Sequence, residues 1–215
     1  MGYAYECAGN GTAGLFDTKN NALYISSSWR FGASEGPFNF NRIVVTNGAH
    51  VEVEDGVQLS AHELSIDSAS TFSITGSSVI SIPTISVDDN STLTFSGRES
   101  LTLDTLSVTG NSTISVAQGS PLFLHVRDLT VSVDSKISLD SKGYSGGTGP
   151  GAPIEYYDGA SHGGVGYYNS ATSTYGSITE PVDMGSGGNG HHSYAQGGGA
   201  LKIIADGTFI LDGAV

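Results

Sequence analysis

The stretch LSIDSASTFSITGSSVISIPTISVDDNSTLTFSGRESLTLDTLSV, residues 64–108, decides the fold because one alternating apolar pattern recurs in it. The triplets Leu64-Ser65-Ile66, Ile85-Ser86-Val87 and Leu106-Ser107-Val108 follow one another at steps of 21 residues. Alternation of apolar and polar residues is typical of a short strand with one buried face. The stretch therefore predicts a structural repeat that contains a strand of this kind in every unit.

The repeat extends beyond this stretch and contains three series of apolar positions. The first series also includes Ile43-Val44-Val45 and Leu129-Thr130-Val131. The second series is Val51/Val53, Phe72/Ile74, Leu93/Phe95, Ile114/Val116 and Ile137/Leu139. The third series is Val57/Leu59, Ile80/Ile82, Leu101/Leu103 and Leu122/Leu124. Since a single unit cannot bury its own apolar face, such units stack on one another.

We therefore predict an all-β fold, a single-stranded right-handed parallel β-helix (β-solenoid) with three strands in each coil of about 21 residues. The handedness follows from the general preference of parallel crossovers. The residues between the triplets have the composition of tight corners, because Asn, Asp and Gly tolerate a positive φ. Such corners are Asn47-Gly48, Asp55-Gly56, Asp88-Asp89-Asn90 and Gly110-Asn111.

We interpret residues 1–215 as one domain with four parts. Residues 1–40 are expected to form an N-terminal cap and a first coil, 41–141 the regular coils, 142–199 a Gly/Tyr-rich insertion, and 200–215 a resumed coil. The triplets that begin at Leu201 and Phe209 are eight residues apart, as are Leu129 and Ile137, which indicates an insertion into one coil. We expect an excised fragment of a longer polypeptide with a truncated last coil.

The insertion holds 17 of the 31 glycines and seven of the ten tyrosines. Long segments without regular structure are usually functional or disordered. We expect a compact lid packed on the solenoid, with disorder as the alternative. Several short motifs argue for the lid because their order is specific. They are Gly143-Tyr144, Gly149-Pro150-Gly151, Ala160-Ser161-His162-Gly163-Gly164, Tyr175-Gly176-Ser177, Pro181, Gly185-Ser186-Gly187-Gly188 and Gly197-Gly198-Gly199.

This string of motifs, over residues 143–213, resembles the glycine-rich modules of large β-helical adhesin-like surface and secreted proteins. The resemblance implies an extracellular or cell-surface location and a structural or adhesive role. It implies no catalytic residue.

Charge limits the classes of partner. Only 13% of residues are charged, and the net charge is −13. A surface of this sign disfavours nucleic acids and anionic membranes. No apolar run approaches the roughly 20 residues that span a bilayer, so membrane insertion is not expected. A single cysteine, Cys7, excludes an intrachain disulfide framework.

Candidate ligand-binding residues lie in the insertion. Tyrosine rings stack on sugar faces, and neighbouring polar groups bond sugar hydroxyls. The candidates are Tyr156, Tyr157, Tyr167, Tyr168, Asp158 and His162. Asp158 with His162, and the pair His191-His192, are alternatively metal ligands, although hydrogen bonding to the glycine-rich backbone is the favoured interpretation of the histidines.

Two corner features complete the candidates. Asp67, Asp88 and Asp89 offer carboxylate oxygens to Ca²⁺, the one candidate cofactor, although solvated turn residues are the favoured interpretation. N-glycosylation sequons begin at Asn10, Asn90 and Asn111; chance, or an Asn ladder at the last two positions, explains them equally well.

The functional prediction is an extracellular structural or adhesive module of a larger surface or secreted fibrous protein. The alternative is a carbohydrate-binding module that uses the insertion tyrosines, and a polysaccharide lyase or hydrolase is third. An enzyme is disfavoured because the outward strand positions are hydroxyl ladders such as Ser65, Ser86 and Ser107, which lack acid–base groups. Expected partners are polysaccharides or copies of the chain stacked end to end.

Overall fold

The computed structural model describes residues 13–97, 99–155, 158–168, 174–180, 182–189 and 195–215. No helix occurs among these residues. The strands are β1 (Gly14–Asp17), β2 (Ala22–Ile25), β3 (Trp29–Phe31), β4 (Phe38–Val45), β5 (His50–Val53), β6 (Gln58–Ile66), β7 (Thr71–Thr75), β8 (Val79–Ser81), β9 (Thr84–Val87), β10 (Thr92–Ser96), β11 (Glu99–Val108), β12 (Thr113–Val116), β13 (Leu122–Val131), β14 (Lys136–Ser138), β15 (Leu201–Ala205) and β16 (Phe209–Leu211).

The strands form two stacked parallel sheets, so the predicted β-solenoid is confirmed. The smaller sheet has six strands in the order β14-β12-β10-β7-β5-β3. The larger sheet runs β1-β2-β4-β6-β9-β11-β13-β15, with β8 paired to β6 and β16 to β13. Each coil supplies strands to both sheets. About five turns of the chain therefore connect β3 to β14.

For the first and second series the register is the one that the triplets predict, whereas the third series is shifted by two residues at its start, since Leu59 pairs with Ile80 and not with Ile82. Leu64 pairs with Ile85, which pairs with Leu106, which pairs with Leu129. Phe72 and Leu93 pair in the same way in the smaller sheet. The side chains of these residues are at most 1% exposed and belong to one continuous apolar cluster. Stacking of equivalent positions thus produces a single core along the whole solenoid.

One of the three corners of a coil lies inside a continuous strand. In β6 the alternation of buried and outward residues slips by one at His62-Glu63, and in β13 it slips at Arg127-Asp128. The predicted third and first series therefore share one bent strand. The equivalent bend is interrupted at Pro83, between β8 and β9, because proline has no N–H to donate to the ladder.

The corner between the first and second series has stacked backbone turns with positive φ. Asn47, Asn90 and Asn111 have φ of 61°, 60° and 61°. The backbone of one turn bonds the next, as where the Asn90 N–H donates to the Gly110 carbonyl over 2.7 Å. Asn, which tolerates this conformation, is therefore favoured at this corner.

A column of buried serines stands just inside this corner. The hydroxyl oxygen of Ser70 accepts the Ala49 N–H, and the oxygen of Ser91 accepts the Ser70 N–H, each over 3.1 Å. The same contact continues through Ser112 and Ser135. The four serines are at most 2% exposed. The column satisfies backbone donors that the turn leaves without a strand partner.

The described N-terminal residues extend the stack. Leu23 of β2 pairs with Ile43, and Trp29 of β3 pairs with Val51, which makes residues 22–31 a first coil. β1 then turns back and pairs with β2 in the antiparallel direction. The hydrogen-bonding edge of β2 is thereby covered.

The resumed coil continues two of the three series. Leu201 pairs with Leu122, and Phe209 pairs with Leu129. The two triplets therefore continue the third and first series, not the first and second. One extra residue between them is accommodated around Asp206 and Gly207, whose N–H groups donate to the carbonyls of Val126 and Arg127. The insertion accordingly leaves and re-enters the coil at the corner that follows β14.

Candidate functional site

The insertion is anchored to the solenoid through its two ends. At its beginning, the Gly143 N–H donates to the Gly197 carbonyl over 2.8 Å, and the Tyr144 N–H to the Gly185 carbonyl over 3.0 Å. At its end, the Gly199 N–H donates to the carbonyl of Leu139, directly after β14, over 2.9 Å. The first and last residues of the insertion are therefore bound to each other and to the coil.

Many of its glycines are required by close backbone contacts. A Cβ on Gly197 would collide with the carbonyl oxygen of Gly185, and one on Gly187 would collide with that of Ser145. A Cβ on Gly166 would meet the Gly159 carbonyl in the same way. In contrast, a Cβ on Gly198 would meet nothing within 4 Å. Where described, the insertion is thus a packed unit in which backbone lies directly on backbone.

Buried polar groups fix the centre of this unit. The Ser186 hydroxyl accepts the Gly151 N–H over 2.9 Å and lies 2.8 Å from the Tyr175 hydroxyl. The Tyr175 hydroxyl donates to the Met184 carbonyl over 2.6 Å. Because both hydroxyls are bonded, Tyr175 is held as a structural residue with its ring half-buried.

Two of the four candidate tyrosines are placed on the surface. Tyr167 and Tyr168 are 76% and 75% exposed, and their rings lie 4.3 Å apart at 73° to each other. The Tyr167 carbonyl accepts the Gly159 N–H over 2.7 Å, which fixes the backbone beside the rings. Tyr156 and Tyr157 lie outside the described residues.

The two polar candidates have different environments. Asp158 is 6% exposed, and its carboxylate accepts the Glu155 N–H over 3.1 Å, closing a turn. His162 is exposed, with its ring 4.5 Å from that of Tyr175, and it lines a cavity of about 220 Å³. His191 and His192 lie outside the described residues, so the metal interpretation of that pair stays a prediction.

One corner carboxylate bonds to the next coil and another to its own turn. The Asp88 carboxylate accepts the Thr109 hydroxyl over 2.8 Å, and that of Asp89 accepts the Asn90 amide over 3.1 Å. Asp67 is half-buried in the preceding coil. Within the part of the chain that the structure describes, no three His, Cys, Asp or Glu side chains are grouped so as to hold a metal ion.

The two described sequon asparagines form a ladder. The Asn111 amide donates to the Asn90 side-chain oxygen over 2.8 Å, one coil away. Their side chains are exposed. Asn10 lies outside the described residues.

A concave surface on the outer side of the bent strands was not singled out from the sequence. We call it the outer trough and define it by two hollows on the outward side of these strands. The first, of about 290 Å³, is lined by Asn39, Phe40, Ser60, Ala61, His62, Ser81 and Pro83. The second, of about 380 Å³, is lined by Ser100, Thr102, Phe123, Leu124, His125, Val182, Lys202 and Ile204.

The sequence did not predict the trough, for two reasons. The outward hydroxyls Ser81 and Thr102 were the sequence signal, but the bend that makes the surface concave results from the slip inside long strands. One wall, Val182, comes from the insertion, whose path on the solenoid no spacing could predict.

Hydrogen bonds at corners shift two aspartate pKa values. The Ser77 N–H, and then its hydroxyl, donate to Asp55 over 2.6 and 2.9 Å and hold the pKa of that carboxyl below its ordinary value. The Thr208 N–H does the same for Asp128 over 2.9 Å and lowers its pKa. Asp55 is exposed and Asp128 is half-buried, and each connects one coil to the next through a charged acceptor.

Comparison with known proteins gives no relative from which a role could be transferred: no family model, curated protein or solved structure matches this chain. Among the described residues there is no helix that is long and apolar enough to cross a membrane.

Proposed function

We propose that the chain is an extracellular structural and adhesive module of a larger surface or secreted fibrous protein. In this module the stacked coils are a stiff support, and the insertion is a surface fixed to its side. Stiffness follows from the continuous core, in which each coil is bound to its neighbours by in-register ladders.

The observation that carries the proposal is the packing of the insertion. A segment that served only as a tether would need no backbone contacts so close that a methyl group is excluded. The contact between Gly197 and Gly185, and the buried hydroxyls of Ser186 and Tyr175, instead hold a defined shape. A defined shape is what specific adhesion needs, because little entropy is then lost on contact.

The test compares two adjacent glycines. Gly197→Ala forces a methyl group onto the Gly185 carbonyl, whereas Gly198→Ala points a methyl group into open space. Beads coated with the wild-type chain or either variant are exposed to immobilised polysaccharides, mucin and extracellular-matrix protein under flow. The urea midpoint of each variant is measured in parallel.

We expect the wild-type chain and Gly198→Ala to hold beads on at least one surface, and Gly197→Ala to reduce retention about tenfold or more. The urea midpoint of the coils should be the same in all three chains. Retention that Gly197→Ala leaves unchanged, or no retention of the wild-type chain on any surface, would contradict an adhesive role of the insertion.

Carbohydrate binding by the insertion is the second candidate, and the exposure of Tyr167 and Tyr168 favours it. Exposed aromatic rings on a fixed backbone are suited to stacking on sugar faces. Retention on polysaccharide should then fall in a Tyr167→Ala/Tyr168→Ala variant and stay unchanged in Tyr24→Ala, which removes a partly exposed tyrosine from β2. Oligosaccharide released from the polysaccharide during the retention assay would instead support the third candidate, a lyase or hydrolase.

A further inference from the structure

The outer trough contains a row of polar side chains that follows the axis of the solenoid. Asn39 pairs with Ser60 and Ser60 with Ser81, while Thr102 pairs with His125. The Asp104 N–H donates to the Pro83 carbonyl over 2.8 Å, which places the coil of Thr102 directly beside the coil of Ser81. Parallel strands lie about 4.8 Å apart, so the four steps from Asn39 to His125 span about 19 Å.

From this geometry we infer that the outer trough binds a linear, uncharged polysaccharide that lies along the axis of the solenoid. The step of the row is comparable with the length of one sugar in an extended β-linked chain. One coil therefore faces one sugar, and hydroxyl groups recur on the protein at the spacing at which they recur on the ligand. This goes beyond the adhesive function proposed above and does not use the insertion tyrosines.

Apolar side chains stand beside the row where a sugar ring would need a packing surface. Pro83 lines the first hollow, at the edge of which Phe40 packs against the core. Phe123, Val182 and Ile204 line the second. Sites for small polar ligands combine such apolar walls with a few polar groups that fix orientation. The two hollows of the trough each have an apolar wall and polar groups.

The charges of the second hollow argue for a neutral ligand. The Lys202 ammonium nitrogen lies 2.6 Å from the Glu180 carboxylate, and the Nε2 atom of His125 lies 2.8 Å from the Asp206 carboxylate. The ionisable groups that line this hollow are thus already partnered. An anionic polymer would also approach a chain with a net charge of −13. Charge complementarity therefore favours a ligand without charge.

The Glu180–Lys202 ion pair also forms one wall. It joins the insertion to β15, and Val182, two residues further on, borders the second hollow. The insertion thus shapes one end of the trough, while the other end is formed by the coils themselves.

The test uses substitutions that fill the trough with large side chains and leave the buried core residues unchanged. Thr102 and Ser81 are exposed and point outward, so Thr102→Trp and Ser81→Trp each place a large ring in one hollow. Thr94→Trp is the matched control, since Thr94 lies in the outward ladder of the smaller sheet. Phe123→Ala is a fourth variant that removes a wall instead of filling the space. Urea midpoints verify that each variant is folded.

Retention of each soluble chain is measured on insoluble cellulose, chitin and linear mannan, with immobilised polygalacturonate as the anionic probe. We expect the wild-type chain and Thr94→Trp to bind at least one neutral probe more tightly than polygalacturonate. Thr102→Trp, Ser81→Trp and Phe123→Ala should each weaken that binding about tenfold or more.

Four results would overturn the inference. They are no retention of the wild-type chain on any neutral probe, equal retention on polygalacturonate, retention that the trough variants leave unchanged, and concentration-dependent self-association that the same variants abolish. The last result would make the trough a contact between copies of the chain. Because these variants leave the insertion glycines intact, bead adhesion that depends on Gly197 can persist when the trough inference fails.

Discussion

Replacement of Ser91 by alanine tests the buried serine column. The Ser91 hydroxyl oxygen is the acceptor for the Ser70 N–H over 3.1 Å, and the residue is 1% exposed. Without the hydroxyl, that N–H remains buried with no acceptor. An unsatisfied buried donor costs about 1–3 kcal/mol, and few atoms are available to relax into the gap. We therefore expect Ser91→Ala to lower the free energy of unfolding by about 2 kcal/mol.

The control for this experiment is Ser86→Ala, five residues earlier. Ser86 points outward from β9, where water can replace the lost hydroxyl, so the change should stay within about 0.5 kcal/mol. In a chain of this length, a loss of about 2 kcal/mol lowers Tm by about 4–8 °C.

Urea denaturation followed by circular dichroism measures both variants. Hydrogen exchange of the Ser70 amide locates the effect, since this amide should lose protection first in Ser91→Ala. Equal stability of the two variants, with the Ser70 amide still protected, would refute the role of the column.

Three further predictions concern the core, the corners and pH. Phe95→Ala, which empties a site that is 1% exposed, should lower the free energy of unfolding by about 3–5 kcal/mol in urea denaturation. Asn111→Gly removes an exposed ladder contact without straining the turn, whose φ at this residue is 61°, and should change the same quantity by no more than about 0.5 kcal/mol; a loss as large as that of Phe95→Ala would show that the ladder is structural. Because the pKa of Asp128 is lowered by the Thr208 N–H, its contribution to stability should be present above the ordinary aspartate pKa and lost as the pH falls through the lowered value. An NMR titration in which Asp128 titrates at its ordinary pKa would contradict this.

The sequence was sufficient for the repeat, for the register of the first and second series and for most of the core, because period-two alternation and a constant step depend only on spacing. It was not sufficient for the bent strands. A slip of one residue, as at His62-Glu63, is compatible with a corner between two strands and with a bend inside one. Only the hydrogen bonds between coils distinguish the two arrangements.

The sequence analysis did not assign the faces of the resumed coil, although the sequence contains the necessary information. The eight-residue spacing from Leu201 to Phe209 equals that from Leu129 to Ile137, but the two pairs of residues occupy different faces. The order of the faces is the better guide, since a chain that leaves the coil after Ile137 must re-enter on the next face. That face carries Leu122, with which Leu201 pairs.

The packing of the insertion is set by contacts between distant segments. Gly197 and Gly198 are adjacent residues of the same type, yet of the two only Gly197 has no room for a side chain. Such a distinction arises from where another part of the backbone runs. The serine column was easier to predict from the sequence. Ser70, Ser91 and Ser112 recur at the same 21-residue step, each two residues before an apolar residue of the second series.

The exit and re-entry of the insertion at a single corner allow the solenoid to carry segments of very different length. Sixty-two residues separate β14 from β15, where the preceding coil uses five between β12 and β13. Loop-closure entropy grows only with the logarithm of length, so the longer excursion costs about 2 kcal/mol more than the shorter one. The coils that precede the insertion keep the same stacking. The corner is thus a grafting point, at which one scaffold can exchange its displayed segment without a new fold.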